Sequence, residues 1–520
     1  MKLKNPLLPG MYPDPSVCRK GDDYYMITSS FEYFPGIPIF HSKDFVHWHQ
    51  ISHVLTRPEQ LNLDGLKASK GIYASTIRYK EDEDLFYVVT TLVREPFYYG
   101  NLNFYVTAKN PEGPWSDPIE IKGAESIDPT LIFDNGKTYY LGNLRPYPEE
   151  PIREERWIWL QEMDPETNTL IGERRILRDR GANDGADAPE GPHLYHIGEY
   201  YYLMIAEGGT NLNHSETVFR SKDIWGPYEP NPRNPLITHR NLSRKHPINS
   251  TGHADIIQLS NGEWWAVLLA SRLDGGTYRV LGRETFAVPV IWEEDWPVFS
   301  PDTGHVEFEF EAPDLPLCYW PETPSVDNFD QRELHLEWNF LRTPRHRIYS
   351  LDERPGWLRL YLHPSTVNEL SNPSFVGRRQ QHASFAARTV MEFIPEKKES
   401  AGMVLFFNNN YNFQLLREES RVVLYKTQCG ERKIVAEHGY SDKKIYLKIS
   451  ARNEDVSFFF AENSEKWITL AENQDIRILS MEIAGGFTGT YIALYATGNG
   501  EESTSFADFD WFEYQQVDFD

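Results

Sequence analysis

The chain has 520 residues and a formal net charge of −25, which is too long for one ordinary hydrophobic core, so two domains are expected. The acidic balance argues against nucleic acid or an anionic membrane as partner, because both demand clustered Lys and Arg. Three widely spaced cysteines, Cys18, Cys318 and Cys429, with no CxxC pair, exclude a disulfide scaffold and a zinc ribbon.

The first fifteen residues are broken by Pro and Gly and hold no apolar run of signal-peptide length, which predicts a cytoplasmic protein. No later run approaches a membrane span. Aromatic strand cores then recur at residues 21–28 (GDDYYMIT), 82–90 (DEDLFYVVT), 135–142 (NGKTYYLG), 198–206 (GEYYYLMIA) and 261–270 (NGEWWAVLLA). Their anchor aromatics, Tyr25, Tyr87, Tyr140, Tyr202 and Trp265, lie about sixty residues apart, a period that in an all-strand pattern predicts a β-propeller. Five repeats predict five blades over residues 1–311. Turn elements support the count: Ser42-Lys43-Asp44 with Trp48, Ala108-Lys109-Asn110 with Trp115, and Ser221-Lys222-Asp223 with Trp225 each follow a strand core. The third repeat carries a weaker version, Met163-Asp164-Pro165.

Residues 312–324, rich in Pro, read as a linker. Beyond it the long period is lost. Short alternating strands at 357–363, 402–407, 421–427, 444–450, 455–462 and 491–497 predict an antiparallel β-sandwich over 325–520. The fold class expected is therefore all-β, a five-bladed propeller followed by a sandwich.

Counting back eleven or twelve residues from each anchor gives Asp14, Ser75, Asp128, Glu190 and His253. If each repeat is a blade, these five residues start the innermost strands and converge on the axis. Three are acids beside proline, in Pro13-Asp14-Pro15, Asp128-Pro129 and Pro189-Glu190. Proline fixes local backbone and so holds the direction of a neighbouring carboxylate. Crowded carboxylates push some of their pKa values up. Glycoside hydrolysis uses that asymmetry: one carboxyl stays protonated to assist the leaving oxygen, and another stays ionised to activate water or attack the sugar. Glu190, the longer side chain, is the natural acid and Asp14 the natural base. A solvated loop acid or turn former remains the alternative for each.

These segments resemble glycoside hydrolase family 43. The resemblance rests on Tyr12-Pro13-Asp14-Pro15-Ser16, Ser126-Ile127-Asp128-Pro129-Thr130, Ala188-Pro189-Glu190-Gly191-Pro192-His193, Ser250-Thr251-Gly252-His253-Ala254-Asp255 and Leu281-Gly282-Arg283-Glu284-Thr285. Gly486-Phe487-Thr488-Gly489 and Phe506-Ala507-Asp508-Phe509-Asp510 resemble the concanavalin-like sandwich of the β-xylosidase branch. The resemblance implies an inverting mechanism with Asp14 as general base, Glu190 as general acid, and Asp128 orienting the acid and tuning its pKa. It implies that Arg283 binds glycone hydroxyls, an ion pair closing the last blade being the alternative. Phe31 resembles a residue lining the sugar site. Tyr73, before Ser75, stands where a Trp-Ala-Pro segment is commoner. Phe506 is expected to reach over the pocket and block one side, which would enforce exo action; ordinary core packing is the alternative for these aromatics. The resemblance also places His253 below the pocket near an axial calcium, held through water, against a plain hydrogen-bonded core histidine. No cofactor is required.

The expected activity is exo-acting release of β-D-xylose, α-L-arabinofuranose or both from the non-reducing ends of short xylan-derived oligosaccharides, with a homo-oligomer left open. Two other readings stand beside it. A non-catalytic carbohydrate-binding propeller would have no need of an acid and base pair. A retaining fructan hydrolase on a related scaffold would carry an Arg-Asp-Pro segment, whereas Ile127 precedes Asp128 here.

Overall fold

A computed structural model describes residues 1–96, 100–147, 155–183, 185–273, 277–321 and 323–517. Residue 322 of the expected linker and residues 518–520 of the expected sandwich lie outside the described residues.

Five antiparallel sheets follow one another along the chain, each starting from an inner strand. The inner strands are Ser16–Lys20, Thr76–Lys80, Thr130–Asp134, Glu190–Ile197 and Ile248–Gln258. Each touches the next and the last touches the first, so the ring closes. Within a blade the order is sequential, as in Thr130–Asp134, Lys137–Leu144, Trp157–Asp164 and Thr169–Arg178. The first hairpin of that blade turns at Asn135 and Gly136, with φ of 49° and 73°. Two successive left-handed residues are what a tight hairpin turn requires, and Asn-Gly supplies them at low cost.

The repeated aromatics account for blade packing. Tyr25 of blade one meets Phe86 of blade two at 5.2 Å, and Tyr87 meets Phe133 of blade three at 4.9 Å. Tyr202 of blade four meets Trp292 of blade five at 5.0 Å, and Trp265 returns to Phe45 of blade one at 5.8 Å. Each such pair contributes about 0.5–1.5 kcal/mol beyond the area it buries. Tyr140 differs, pairing with Trp159 inside its own blade. The N-terminal strand Lys2–Lys4 pairs with Glu309–Glu311, beyond the fifth blade. Asn5 adds side-chain bonds to the carbonyls of Ala287 and Glu307. First and last blades are thereby tied outside the ring.

A polar knot occupies the axis. Asp255 accepts from Arg78 at 2.8 Å, Tyr195 at 2.5 Å and Ser16 at 2.7 Å, which joins four blades. Burial would raise the Asp255 carboxyl, but Arg78 and its other partners outweigh that and hold it at about 2. His193 accepts from Arg78 at Nδ1, and burial pushes it down to about 3.

Residues 312–320 run along blade one. The Cys318 amide donates to Asp44, and Trp320 lies 3.7 Å from the His49 ring. Beyond them two sheets face each other. One has the order Ser374–Arg379, Tyr491–Thr497, Ser400–Asn408, Tyr411–Glu418, Arg421–Gln428, Glu431–Gly439. The other includes Leu358–Tyr361, Phe506–Gln516, Phe385–Glu392 and Lys444–Arg452. In Lys444–Arg452 every second residue is buried (Ile445, Leu447, Ile449, Ala451), as a strand with one face on the core requires. The sandwich seats on the propeller through Phe340–Leu341, which pairs with Tyr33–Phe34, and through Tyr491 stacked on Tyr33 at 3.9 Å. Both contacts lie beside Phe31, at the edge of the site.

Candidate active site

The predicted register brings Asp14, Asp128, Glu190 and His253 to one cavity of about 530 Å³ at the head of the inner strands. Asp14 and Asp128 precede their strands by two residues and Glu190 begins its own. His253 departs from the expectation that it starts a strand: Ile248–Gln258 begins five residues earlier, and His253 sits within a register shift between Gly252 and Asp255. Bulges add residues without adding a strand, so the count from the anchor still lands at the axis. Ser75 is absent from the cavity lining and donates to Thr90 Oγ1 at 2.8 Å.

Asp14, Asp128 and His253 share a backbone conformation, with φ of 55°, 55° and 54°. A left-handed non-glycine residue costs about 1–3 kcal/mol, so each must be held by its surroundings. For Asp14 the holders are blade five and the next strand: the Tyr12 amide donates to the Arg283 carbonyl at 3.1 Å, and the Ser29 amide to the Pro13 carbonyl at 3.1 Å. For Asp128 they are asparagines. Asn143 Nδ2 donates to the Ile127 carbonyl, and Ser126 Oγ to Asn143 Oδ1. At His253, the Ala254 amide donates to buried Glu216 at 2.9 Å.

The carboxyls sit in opposite fields. Asp14 Oδ1 accepts from Arg283 Nη1 at 2.7 Å, and Oδ2 from Ser29 Oγ at 2.6 Å. Burial would raise Asp14, but Arg283 leads the groups that outweigh it, and the carboxyl lies below the ordinary range. His253, at 3.8 Å, is itself pushed down by burial. It is therefore neutral near pH 7, and Arg283 and Ser29 carry the effect. Asp128 is the reverse. Burial, then the charges of Glu190 and Asp14, hold it well above the ordinary range, against one bond from the Gly191 amide at 3.2 Å. Two mutually repelling carboxyls retain a proton where an isolated one would have lost it. Gly191 is required here: a Cβ on it would stand 2.9 Å from the His253 ring.

Arg283 lies between two rings, 5.6 Å from Phe31 and 5.7 Å from Phe487. Its Nη2 also donates to the Phe487 carbonyl. Tyr73 completes this wall, 5.3 Å from Phe31, with its hydroxyl donating to the Ser69 carbonyl. Phe506 does not take part. It is the exposed first residue of its strand, 41% exposed, with Arg359 3.5 Å above its ring. The sandwich residue in the cavity wall is Phe487, from the loop after the short helix Met481–Ala484. That loop is fixed by the Phe487 amide donating to Ser69 Oγ. Lys70, Arg145, Arg156, Thr210 and Asn211 also line the cavity. Sequence reasoning did not single them out, because each lies in an inter-strand segment with no repeated register.

The donors around His253 do not fit a directly held calcium, which takes six to eight oxygens. Both Asp14 oxygens are engaged by Arg283 and Ser29, and Asp255 is engaged by Arg78 and Tyr195. Among the described residues no group of three or more His, Cys, Asp or Glu side chains could hold a metal ion.

Residues 3–297 match glycosyl hydrolases family 43, and residues 326–515 match the beta xylosidase C-terminal concanavalin A-like domain. The chain belongs to glycosyl hydrolase family 43. It is a glycosidase with a propeller and a concanavalin-like sandwich. It is 42% identical to a non-reducing end alpha-L-arabinofuranosidase of Bacteroides ovatus, over 99% of this chain and 95% of that one. It is also 42% identical to a xylosidase/arabinosidase of Butyrivibrio fibrisolvens, over 99% of both chains. The structure of a xylan beta-1,4-xylosidase from Bacillus halodurans superposes with a TM-score of 0.92 at 34% identity, over 99% of this chain and all of that one.

Proposed function

We propose that this family 43 enzyme removes single pentosyl residues, β-D-xylose or α-L-arabinofuranose, from the non-reducing ends of short xylan-derived oligosaccharides, with inversion. The observation that carries the reading is the opposite bias of the carboxyls. Asp14 is held ionised by Arg283, while the Asp128–Glu190 pair is biased to keep a proton. An inverting glycosidase needs one carboxylate and one carboxylic acid at the same pH.

In this reading Asp14 takes a proton from the attacking water as the water oxygen bonds to the anomeric carbon. Glu190 gives its proton to the departing glycosidic oxygen as that bond breaks. Asp128 does not touch the reacting atoms; as the second carboxyl beside Glu190 it lets the pair keep a proton, and its contact with the Gly191 amide orients the strand head. Arg283 both fixes Asp14 and offers donors to glycone hydroxyls. The names of the relatives, an arabinofuranosidase and a xylosidase/arabinosidase, support a pocket that takes either pentose. Phe487 beside Arg283 closes one side of the cavity, which favours chain ends over internal sites. No step uses a metal.

The test is kcat/KM on 4-nitrophenyl β-D-xylopyranoside and α-L-arabinofuranoside, with Asp14→Ala as control. Turnover of either that is lost in the variant supports the reading, and the ratio names the preferred sugar. Folded protein with no turnover of either would reject the pentose assignment.

A further inference from the structure

A glycine-hinged loop flanks Glu190. Glu190 pairs with Ala206 on the strand Tyr200–Glu207, and the chain leaves that strand through Gly208 and Gly209, with φ of 86° and 63°. A Cβ on Gly208 would meet the Asn213 carbonyl oxygen at 2.2 Å, so the turn admits no side chain. Its next residues, Thr210 and Asn211, line the cavity. Backbone bonds hold the base of the loop: the Gly208 amide to the Asp187 carbonyl at 2.7 Å and the His214 amide to the Asn211 carbonyl at 3.0 Å.

The tip is held by Arg279, which is 7% exposed. Its Nη1 donates to the Thr210 carbonyl at 3.0 Å and to Ser250 Oγ at 3.1 Å, and its Nη2 to Asn211 Oδ1 at 3.1 Å. Two further donors go to the sandwich. Nε donates to Glu482 Oε1 at 2.6 Å, and the Arg279 amide to Glu482 Oε2 at 2.8 Å. Glu482 lies in the helix Met481–Ala484, immediately before the loop that carries Phe487. One carboxylate from the sandwich thus fixes one guanidinium, whose planar fork fixes two cavity residues of the propeller.

We infer that Arg279 is a positioning residue, and that the Arg279–Glu482 pair is the clasp by which the sandwich sets the leaving-group wall of the pocket. The inference rests on Glu190 as the acid, because that role makes the wall beside Glu190 the side on which the leaving sugar sits. Arg279 also fixes the Asn211 amide. With Oδ1 committed to the guanidinium, the end offered to a ligand is the Nδ2 donor, suited to a sugar hydroxyl. A nitrophenyl leaving group presents no hydroxyl. The clasp therefore governs oligosaccharides more than aryl glycosides, acting through KM.

The experiment compares Glu482→Gln and Arg279→Met with the parent on xylobiose and on a 4-nitrophenyl glycoside, with thermal midpoints measured alongside. The expected result is a ratio of xylobiose to aryl kcat/KM lowered by about tenfold, chiefly through KM for xylobiose, as for a lost charge-assisted hydrogen bond that orders a binding group. An unchanged ratio in both variants overturns the inference, whether the two constants stay level or fall together, since a merely structural role lowers both alike. Glu482→Gln is the milder change and keeps the test open if Arg279→Met fails to fold. Failure of the acid assignment would be seen separately, as Glu190→Ala losing aryl and disaccharide substrates equally.

Discussion

Arg283 Nη1 stands 2.7 Å from Asp14 Oδ1, with the two residues 3% and 5% exposed. The pair joins the last blade to the first, and also decides the protonation state of the carboxylate proposed as base. A buried carboxyl left alone would tend to protonate.

Arg283→Met is therefore expected to move the acidic limb of the kcat/KM profile upward by about one pH unit or more, because the base then ionises only at higher pH. Activity near neutrality should fall by about a hundredfold. A pH–rate profile on an aryl glycoside checks this. A limb that does not move would show that Arg283 acts only on the sugar.

Asp128→Asn has the opposite signature. Removing its charge relieves the repulsion that keeps a proton on the pair, so Glu190 loses its proton at lower pH and the basic limb moves toward acid. The same profile reads this out. A basic limb left in place, with activity reduced, would deny Asp128 the tuning role.

Phe487→Ala is expected to raise KM for an aryl pentoside by about tenfold, since it removes the ring beside Arg283 and opens the wall. Phe506→Ala is expected to leave kcat and KM within about twofold, since its ring packs under Arg359 away from the cavity. Steady-state kinetics on both variants separates the two phenylalanines.

The contrast between those residues shows what the sequence could carry. Blade order was legible because each blade repeats one aromatic hairpin. Tyr25, Tyr87, Tyr202 and Trp265 recur because each fills a blade interface. The acids were legible because axial position follows from register, a one-dimensional quantity. Phe487 was not, although its Gly-Phe-Thr-Gly segment stood out: which loop of the sandwich reaches the pocket depends on how Tyr491 stacks on Tyr33 and Phe340–Leu341 pairs with Tyr33–Phe34. Those contacts join residues more than three hundred positions apart in the chain and leave no periodic trace. The bulges around His253 and the ion pair of Arg279 with Glu482 were hidden for the same reason. In the sandwich, the strand Glu431–Gly439 escaped because it is largely exposed and charged, with no buried face to set an alternation.

Glu32 predicts how stability depends on pH. Burial leads the influences on it and raises its carboxyl from 4.5 to about 7, only partly offset by Arg342 and the Ser69 amide. The folded state then binds this proton more tightly than the unfolded chain. Its contribution is full below about pH 4.5, declines as pH rises to about 7, and is then lost, a change of about 3 kcal/mol. Glu32→Gln should remove that slope. Urea midpoints of both proteins at about pH 5 and about pH 8 give the comparison. Parallel pH dependence in the two proteins would refute the assignment.

The central claim is that Glu190 donates the proton and Asp14 activates the water. Its most direct test is kcat/KM of Glu190→Ala and Asp14→Ala on xylobiose and on a 2,4-dinitrophenyl β-D-xylopyranoside, whose leaving group departs without protonation. The account predicts that Glu190→Ala retains most activity on the dinitrophenyl substrate while losing xylobiose by about a thousandfold or more, and that Asp14→Ala loses both. Equal losses on the two substrates in Glu190→Ala, or dinitrophenyl activity surviving in Asp14→Ala, would contradict it.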